Sequence, residues 1–445
     1  MPVTQLKDKE YVLKSARDLG VKFIRLWFTD ILGFLKNVAI TIEELEEALE
    51  EGVGFDGSSI EGFTRTEESD MIALPDPNTF AILPWRPKEN AVARMFCDIV
   101  KPGGKPFEGD PRYILKKNLR QAAELGYAFY VGPELEHFYF KSAEEPKPLD
   151  VGGYFDLTPL DFATDLRRET ILAMEELGVG VEFSHHEVAP SQHEIDFRYA
   201  DALTMADSVM TYRLVVKEIA LKHGVYATFM PKPLAGENGS GMHVNISLFK
   251  GERNAFFDPE DPHGLSTVAK RFLAGMLRHV REFTVVTNQW VNSYKRLTPG
   301  YEAPVYVTWA LTNRADLVRI PRTKPGKESA CRLELRSPDP ACNPYLVFSS
   351  ILAAGLEGLK SKDPLPPAAE TNVAALSDEE RRRLGIQSLP RDLGEAIEAA
   401  HDSKLLRSAL GEHIFTSFLK NKRIEWERYC RAVTDFELKA YLPLL

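Results

Sequence analysis

Apolar and polar positions alternate through the aromatic-rich run Tyr127-Ala-Phe-Tyr-Val-Gly-Pro-Glu-Leu-Glu-His-Phe-Tyr-Phe140, and a period of two predicts a β-strand. The pattern turns helical over about 164–177, 200–223, 267–288 and 343–360, with strands between the first four of these. From about 391 onward the chain reads as helical and amphipathic. Turn and cap residues punctuate the pattern. Thr41-Ile-Glu-Glu44 reads as a capping box for a helix that Gly52 closes, and its glutamates read as a solvated helix face. Asp110-Pro111 reads as an N-cap and first helical residue for a helix ending at Gly126. The break Lys101-Pro-Gly-Gly-Lys-Pro106 divides the chain into a first domain, 1–105, and a second, 106–445. At 445 residues, two domains or more are expected. Strands joined mainly by helices favour an α/β or α+β sheet with a site on one face or at strand ends.

Within the aromatic strand, Glu134 and Glu136 interrupt the apolar pattern. Side chains two apart on a strand share a face, so two carboxylates project side by side. Such a pair is costly unless a positive group lies between them, and hard divalent cations suit carboxylate oxygens. A wet sheet edge would also accommodate one pair taken alone. Composition narrows the field. The net charge of −10 argues against a general nucleic-acid binder. The four cysteines (Cys97, Cys331, Cys342, Cys430) show no metal spacing and read as reduced structural thiols of a cytoplasmic protein. No leader is evident at Met1 and no apolar run nears membrane-spanning length. Against the acidic average, Lys295 to Arg336 holds nine Lys/Arg and four Asp/Glu. That local excess suits an anionic ligand, and a solvated or interface face would look the same.

Three further constellations carry chemistry. His185-His-Glu-Val-Ala-Pro-Ser-Gln-His-Glu-Ile-Asp196 sets Glu187 and Glu194 about a Pro-Ser turn. Glu237-Asn-Gly-Ser-Gly-Met-His-Val-Asn-Ile-Ser247 runs from a glycine turn into a strand with His243, Asn245 and Ser247 on one face. Arg332-Leu-Glu-Leu-Arg336 places Glu334 between two cations, which is either a site or a cross-strand salt-bridge ladder. Five carboxylates and a histidine beside an arginine excess suit metals bound by carboxylates and phosphates, with phosphoryl transfer from a nucleotide. No Walker A is present, because position 321, where the upstream glycine belongs, is proline, and no G-x-G-x-x-G opens a helix after a strand. The residues themselves lead to a metal-dependent enzyme acting on phosphate and carboxylate groups.

Six motifs in order carry a resemblance: Phe55-Asp-Gly-Ser-Ser59, Gly132-Pro-Glu-Leu-Glu136, Asn238-Gly-Ser-Gly-Met-His243, Asn292-Ser-Tyr-Lys-Arg-Leu297, Pro299-Gly-Tyr-Glu-Ala-Pro304 and Arg332-Leu-Glu-Leu-Arg336. Together they resemble the class I glutamine synthetases over nearly the whole chain. The resemblance implies an α+β fold, with a small N-terminal β-grasp domain and a large catalytic domain built on a curved antiparallel sheet, similar to guanido kinases. It implies ATP-dependent ligation of ammonia to the γ-carboxylate of L-glutamate through γ-glutamyl phosphate. Two or more Mg²⁺ (or Mn²⁺) per site, with ATP as substrate, are implied as well, and so is a dodecamer of two hexameric rings with sites between subunits. By position, Glu136, Glu187 and Glu194 would hold the metal nearer glutamate, and Glu134, His243 and Glu334 the metal at the ATP phosphates. Asp56, from the neighbouring subunit, and Glu302, on a flap, would bind and deprotonate ammonium. Arg296, Arg336, Asn238 and Gly239 would hold glutamate. Arg314 and Arg319 would neutralise the phosphoryl group in flight, and Tyr199, Asn245, Ser247 and Lys327 would meet the nucleotide.

The chain departs from relatives in places. Glu187 and Glu194 are seven apart where another branch has a longer loop, and Asn245 stands where that branch has histidine. Glu370-Thr-Asn-Val-Ala-Ala375 lacks the tyrosine of the adenylylated branch. The chain therefore resembles the unmodified branch, which glutamine inhibits by feedback, with Arg65 at the position tied to that inhibition and a nitrogen-regulatory protein as candidate partner. A ligase for another amine and a non-catalytic scaffold are the competing readings. Retention of Asp56 and Glu302 argues against the first, and the filled metal positions against the second.

Overall fold

The computed structural model describes residues 7–64, 70–313, 315–362 and 364–445, so Arg65 and Arg314 lie outside the described residues. Helix α1 (Lys9–Asp18) leads into a six-stranded sheet of β1 (Val21–Thr29), β2 (Leu35–Thr41), β3 (Val53–Asp56), β4 (Asp70–Pro75), β5 (Ala81–Ile82) and β6 (Ala91–Val100). Its order is β2-β1-β6-β4-β3, with β5 also on β6. The pair β1–β6 is parallel and the others antiparallel. Helix α2 (Leu45–Glu51) ends at Gly52, whose φ of 76° places it in the left-handed region. The expected capping box at Thr41 does not form. Thr41 is still paired to Phe23 as the last residue of β2, and its hydroxyl meets the Glu43 carboxylate instead.

Helix α3 (Pro111–Glu124) starts as read, with the Asp110 carboxylate accepting from the Arg112 N–H. The ten-stranded second sheet contains β7 (Ala128–Phe140), β8 (Val181–His186), β9 (Gln192–Phe197), β10 (Ala200–Asp201), β11 (Tyr226–Thr228), β12 (Met242–Lys250), β13 (Arg253–Asn254), β14 (Trp309–Ala310), β15 (Val318–Arg319) and β16 (Leu333–Leu335). Its path is β14-β15-β16-β12-β7-β9-β8, antiparallel except for β14–β15. The strands interleave with α4 (Thr164–Glu176), α5 (Ala202–Lys222), α6 (Thr267–Thr287) and the short α7 (Ser293–Arg296). Helices α8 (Pro344–Ser361), α9 (Asp378–Arg383), α10 (Leu393–His401), α11 (Lys404–Arg431) and α12 (Asp435–Tyr441) complete the chain.

One apolar core runs under both sheets. Within it α6 and α8 meet backbone to backbone: a Cβ on Gly358 would sit 2.1 Å from the Arg271 carbonyl. Arg112 ties the first sheet to α5, with its buried guanidinium on Asp98 (2.6 Å) of β6, on Asp76 (2.8 Å) just after β4 and on Asp207 (3.0 Å) of α5. Cys97, Cys331 and Cys342 are buried free thiols, whereas Cys430 is exposed. At the C-terminus Phe436, Leu442, Leu444 and Leu445 are exposed. No helix among the described residues is long and apolar enough to cross a membrane.

Candidate active site

Strand register gathers the acids. Glu134 of β7 pairs with His243 of β12 on one side and Asp196 of β9 on the other, and Glu136 pairs with Glu194. Glu194 in turn faces His185 of β8. Glu334 of β16 faces Asn245 on one side and Arg319 on the other. These side chains line one cavity of about 780 Å³ with Glu187, Asn238, Gly239, Ser247, Tyr199, Arg296, Glu302 and Arg336. His243 Nδ1 lies 3.1 Å from Glu134 Oε2, and Asn245 donates to Glu134 Oε1 at 2.8 Å. Glu136 Oε2 accepts from Gln192 Nε2 (2.7 Å) and the Gly241 N–H (3.0 Å).

The charge is uneven. Burial and then the neighbouring Glu187 raise Glu136 to about 7. Burial and then Glu194 raise Glu187 to about 8. Glu194 rises well above the usual carboxylate range through burial and Asp196, while burial and Glu134 raise Asp196 to about 8. For Glu134 burial is opposed by the hydrogen bond and charge of His243 and by Asn245, which win and hold it at about 2. The donor set fits divalent cations: hard oxygen ligands and one imidazole, with negative charge that the protein leaves unbalanced. Glu134, Glu194 and His243 offer donor atoms within 4.8 Å of one another, as do His185, Glu187 and Glu194.

The basic side of the cavity is ordered by backbone. Arg296 is buried and donates to the carbonyls of Ser337 (2.7 Å) and Arg336 (3.1 Å). Glycine is needed at 239, since a Cβ there would lie 2.4 Å from the Pro231 carbonyl and 3.0 Å from Arg296 Cγ. Glu334 is clamped by Arg319 (2.5 Å) and Arg336, so a metal at Glu334 must compete with two guanidiniums. Nε of Arg336 is a buried donor with no partner among the described residues, while the residue itself lines the cavity. Glu302 lines the cavity with a φ of 55°, a conformation that non-glycine residues seldom adopt.

Asp56 and Lys327 are not among the residues lining this cavity. Asp56 ends β3 in the other sheet, where its carboxylate accepts from the Ser58 N–H (2.9 Å) and hydroxyl (2.8 Å). Among the lining residues that the sequence does not single out, His185, Gln192 and Asp196 stand within the acid cluster. The signal was present, because 192, 194 and 196 share a face by the same two-residue spacing that singles out Glu134 and Glu136.

A sheet whose one face gathers buried acids, an imidazole and arginines defines a metal-dependent enzyme for anionic substrates. The family model of the glutamine synthetase catalytic domain matches residues 108–441, and that of the glutamine synthetase β-grasp domain matches residues 20–102. The chain belongs to the glutamine synthetase family. It is 54% identical to the glutamine synthetase of Mycolicibacterium smegmatis, over 98% of this chain and 100% of that one. It is 55% identical to that of Methanosarcina mazei, over 98% of each. Among solved structures, the cryo-EM glutamine synthetase of Plasmodium falciparum is similar at a TM-score of 0.88 and 26% identity, covering 99% of this chain and 100% of that one. The GmaS/ADP complex is similar at a TM-score of 0.88 and 33% identity, covering 97% and 99%.

The acid cluster makes a pH prediction. Unfolded glutamates release protons near 4.5, whereas folded Glu136 and Glu187 hold theirs to about 7 and 8. Between those values the folded state binds more protons, so the cluster's contribution to metal-free stability falls as pH rises through this window. A divalent cation held by these acids would replace the protons. Saturating Mg²⁺ or Mn²⁺ should therefore raise the Tm more at pH 8 than at pH 6, and equal gains would refute this reading.

Proposed function

We propose that this cavity carries out ATP-dependent ligation of ammonia to the γ-carboxylate of L-glutamate, through γ-glutamyl phosphate, giving glutamine, ADP and phosphate. The observation that carries the reading is the convergence of Glu134, Glu136, Glu187, Glu194, His243 and Glu334 on one cavity that Arg296, Arg319 and Arg336 also line. Glu136, Glu187 and Glu194 would hold the cation beside glutamate, and Glu134, His243 and Glu334 the one beside the ATP phosphates. Bound there, divalent cations screen phosphate charge and favour attack at the γ-phosphorus.

The chain's own groups then bind and orient. Arg336 and the Asn238-Gly239 backbone, which line the cavity, meet glutamate. Arg296 braces the wall behind them. Arg319, which lines the cavity, and Arg314 neutralise the phosphoryl group, and Tyr199, Asn245, Ser247 and Lys327 meet the nucleotide. Phosphorylation supplies a leaving group that a free carboxylate lacks, after which ammonia displaces phosphate. Ammonium is no nucleophile until deprotonated, so Asp56 and Glu302 both attract it and take its proton. Closing Glu302 over the site keeps water from the acyl phosphate.

Asp56 lies off its own cavity, which supports a site shared between subunits of a twelve-subunit, double-ring assembly. The exposed apolar tail from Phe436 to Leu445 supports the same reading. Feedback inhibition by glutamine through Arg65 and control by a nitrogen-regulatory protein belong to this proposal. An Arg65 variant as sensitive to glutamine as the parent would remove the former. The activity is tested by phosphate release from ATP with glutamate and Mg²⁺, comparing ammonium with small organic amines. Ammonium-dependent turnover yielding glutamine is expected; turnover with an organic amine alone would overturn the assignment and the role of Asp56.

A further inference from the structure

Of the three acids assigned to the glutamate-side cation, Glu136 and Glu194 sit within strands and are placed by register. Glu187 is different, because it lies one residue beyond the end of β8, in the turn that leads to β9. Its carboxylate accepts from the Val188 N–H at 2.9 Å and lies 3.5 Å from His185 Nδ1, so its placement depends on the course of the turn itself.

Behind the sheet lies a group of buried polar residues that the reaction does not use. His186 is wholly buried, and each ring nitrogen meets an oxygen: Nδ1 the Glu187 carbonyl at 2.7 Å, and Nε2 Asp150 Oδ1 at 3.2 Å. Asp150 Oδ1 also accepts from the Ser191 N–H at 2.7 Å and from the Ser191 hydroxyl at 3.2 Å. Its Oδ2 accepts from the Phe162 N–H at 3.1 Å. The Ser191 hydroxyl oxygen in turn accepts from the Leu149 and Asp150 N–H groups at 2.6 and 3.0 Å. Ser191 has a φ of 57°, so the far end of the turn holds a conformation that needs such support. The Glu187 N–H donates to the Gln192 carbonyl at 2.8 Å, which closes the turn. Asp150 thus grips both ends of the turn, one through His186 and one through Ser191.

We propose that Asp150 and His186 are positioning residues for Glu187, holding it at the cation before any cation binds. The inference rests on the reading of Glu187 as a metal ligand. A bound cation is sensitive to ligand placement, and loss of the groups that orient a ligand typically lowers affinity about 10- to 100-fold. Asp150→Asn keeps the shape of the side chain but turns one acceptor into a donor facing existing donors. An independent variant acts from the other side. A Cβ at Gly152 would lie 2.7 Å from His186 Nε2, so Gly152→Ala pushes the ring without altering Asp150.

The test is Mn²⁺ titration of the full assembled protein by electron paramagnetic resonance, with steady-state rates over a range of metal concentrations. Asp150→Asn and Gly152→Ala should each weaken one class of Mn²⁺ site by at least about tenfold. The metal concentration for half-maximal rate should rise accordingly, with kcat at saturating metal and the KM for ATP near those of the parent. A lowered Tm with unchanged Mn²⁺ affinity in both variants would mean a purely structural role and would overturn the proposal. Glu187→Gln separates the two levels of the argument. If it weakens Mn²⁺ binding while the other two variants do not, the positioning claim fails alone. If Glu187→Gln leaves binding intact, the ligand assignment itself fails and takes the inference with it.

Discussion

Glu136→Gln is expected to lower glutamine synthesis by at least about a thousand-fold, some 4 kcal/mol of transition-state stabilisation, while leaving the metal-free protein no less stable to heat at pH 8. Both halves follow from its surroundings. The carboxylate is only 8% exposed, and Gln192 and the Gly241 N–H donate to one of its oxygens, a role that a glutamine carbonyl can keep. What glutamine cannot keep is the charge. Without a cation that charge is a burden, since burial and Glu187 push the acid to about 7. Opposite signs for activity and metal-free stability distinguish a ligand from a structural acid. Rates within tenfold of the parent, or a marked fall of Tm in EDTA, would remove Glu136 from the ligand set.

Asp56→Ala should retain ATP binding and lose about 10²- to 10⁴-fold in glutamine formation, the range expected for a lost general base. The reason is placement rather than fold. Asp56 ends β3 and lies off the cavity of its own chain. On the proposed reading its contribution is made to a neighbour's site. Co-expression with the Glu136→Gln chain tests this, because each inactive chain carries the half the other lacks. Random mixing in a closed ring would restore up to about a quarter of parental activity, one shared site in four receiving both intact halves. No recovery from mixed rings, with recovery of neither chain alone, would place both residues in a site built by one chain.

Much of the local architecture was legible before any tertiary structure. The helices over 164–176, 202–222, 267–287 and 344–361 lie within two residues of the periodicity, and the Asp110-Pro111 start and the Gly52 stop hold. Such features depend on neighbours within a turn or two. The Thr41 capping box failed because the Thr41 hydroxyl goes to the Glu43 carboxylate, although its extended backbone is the one a cap requires, and the residue pattern does not report that choice.

The chemistry was half legible. Spacing by itself put Glu134 beside Glu136, His243 on a face with Asn245, and Glu334 among arginines. The same spacing implied Gln192 and Asp196 beside Glu194, though neither was singled out. Nothing in the spacing could say that Glu194 lies opposite Glu136, that Asp196 lies opposite Glu134, or that Arg319 reaches Glu334 from another strand. Nor could it show Asp150 gripping both ends of the Glu187 turn. By itself the sequence determined the long helices, the aromatic strand and which acids share a strand face, because backbone periodicity is local. Which strands became neighbours, and so which acids meet and shift one another's affinity for protons, was decided only by the tertiary structure, because register and burial come from long-range pairing.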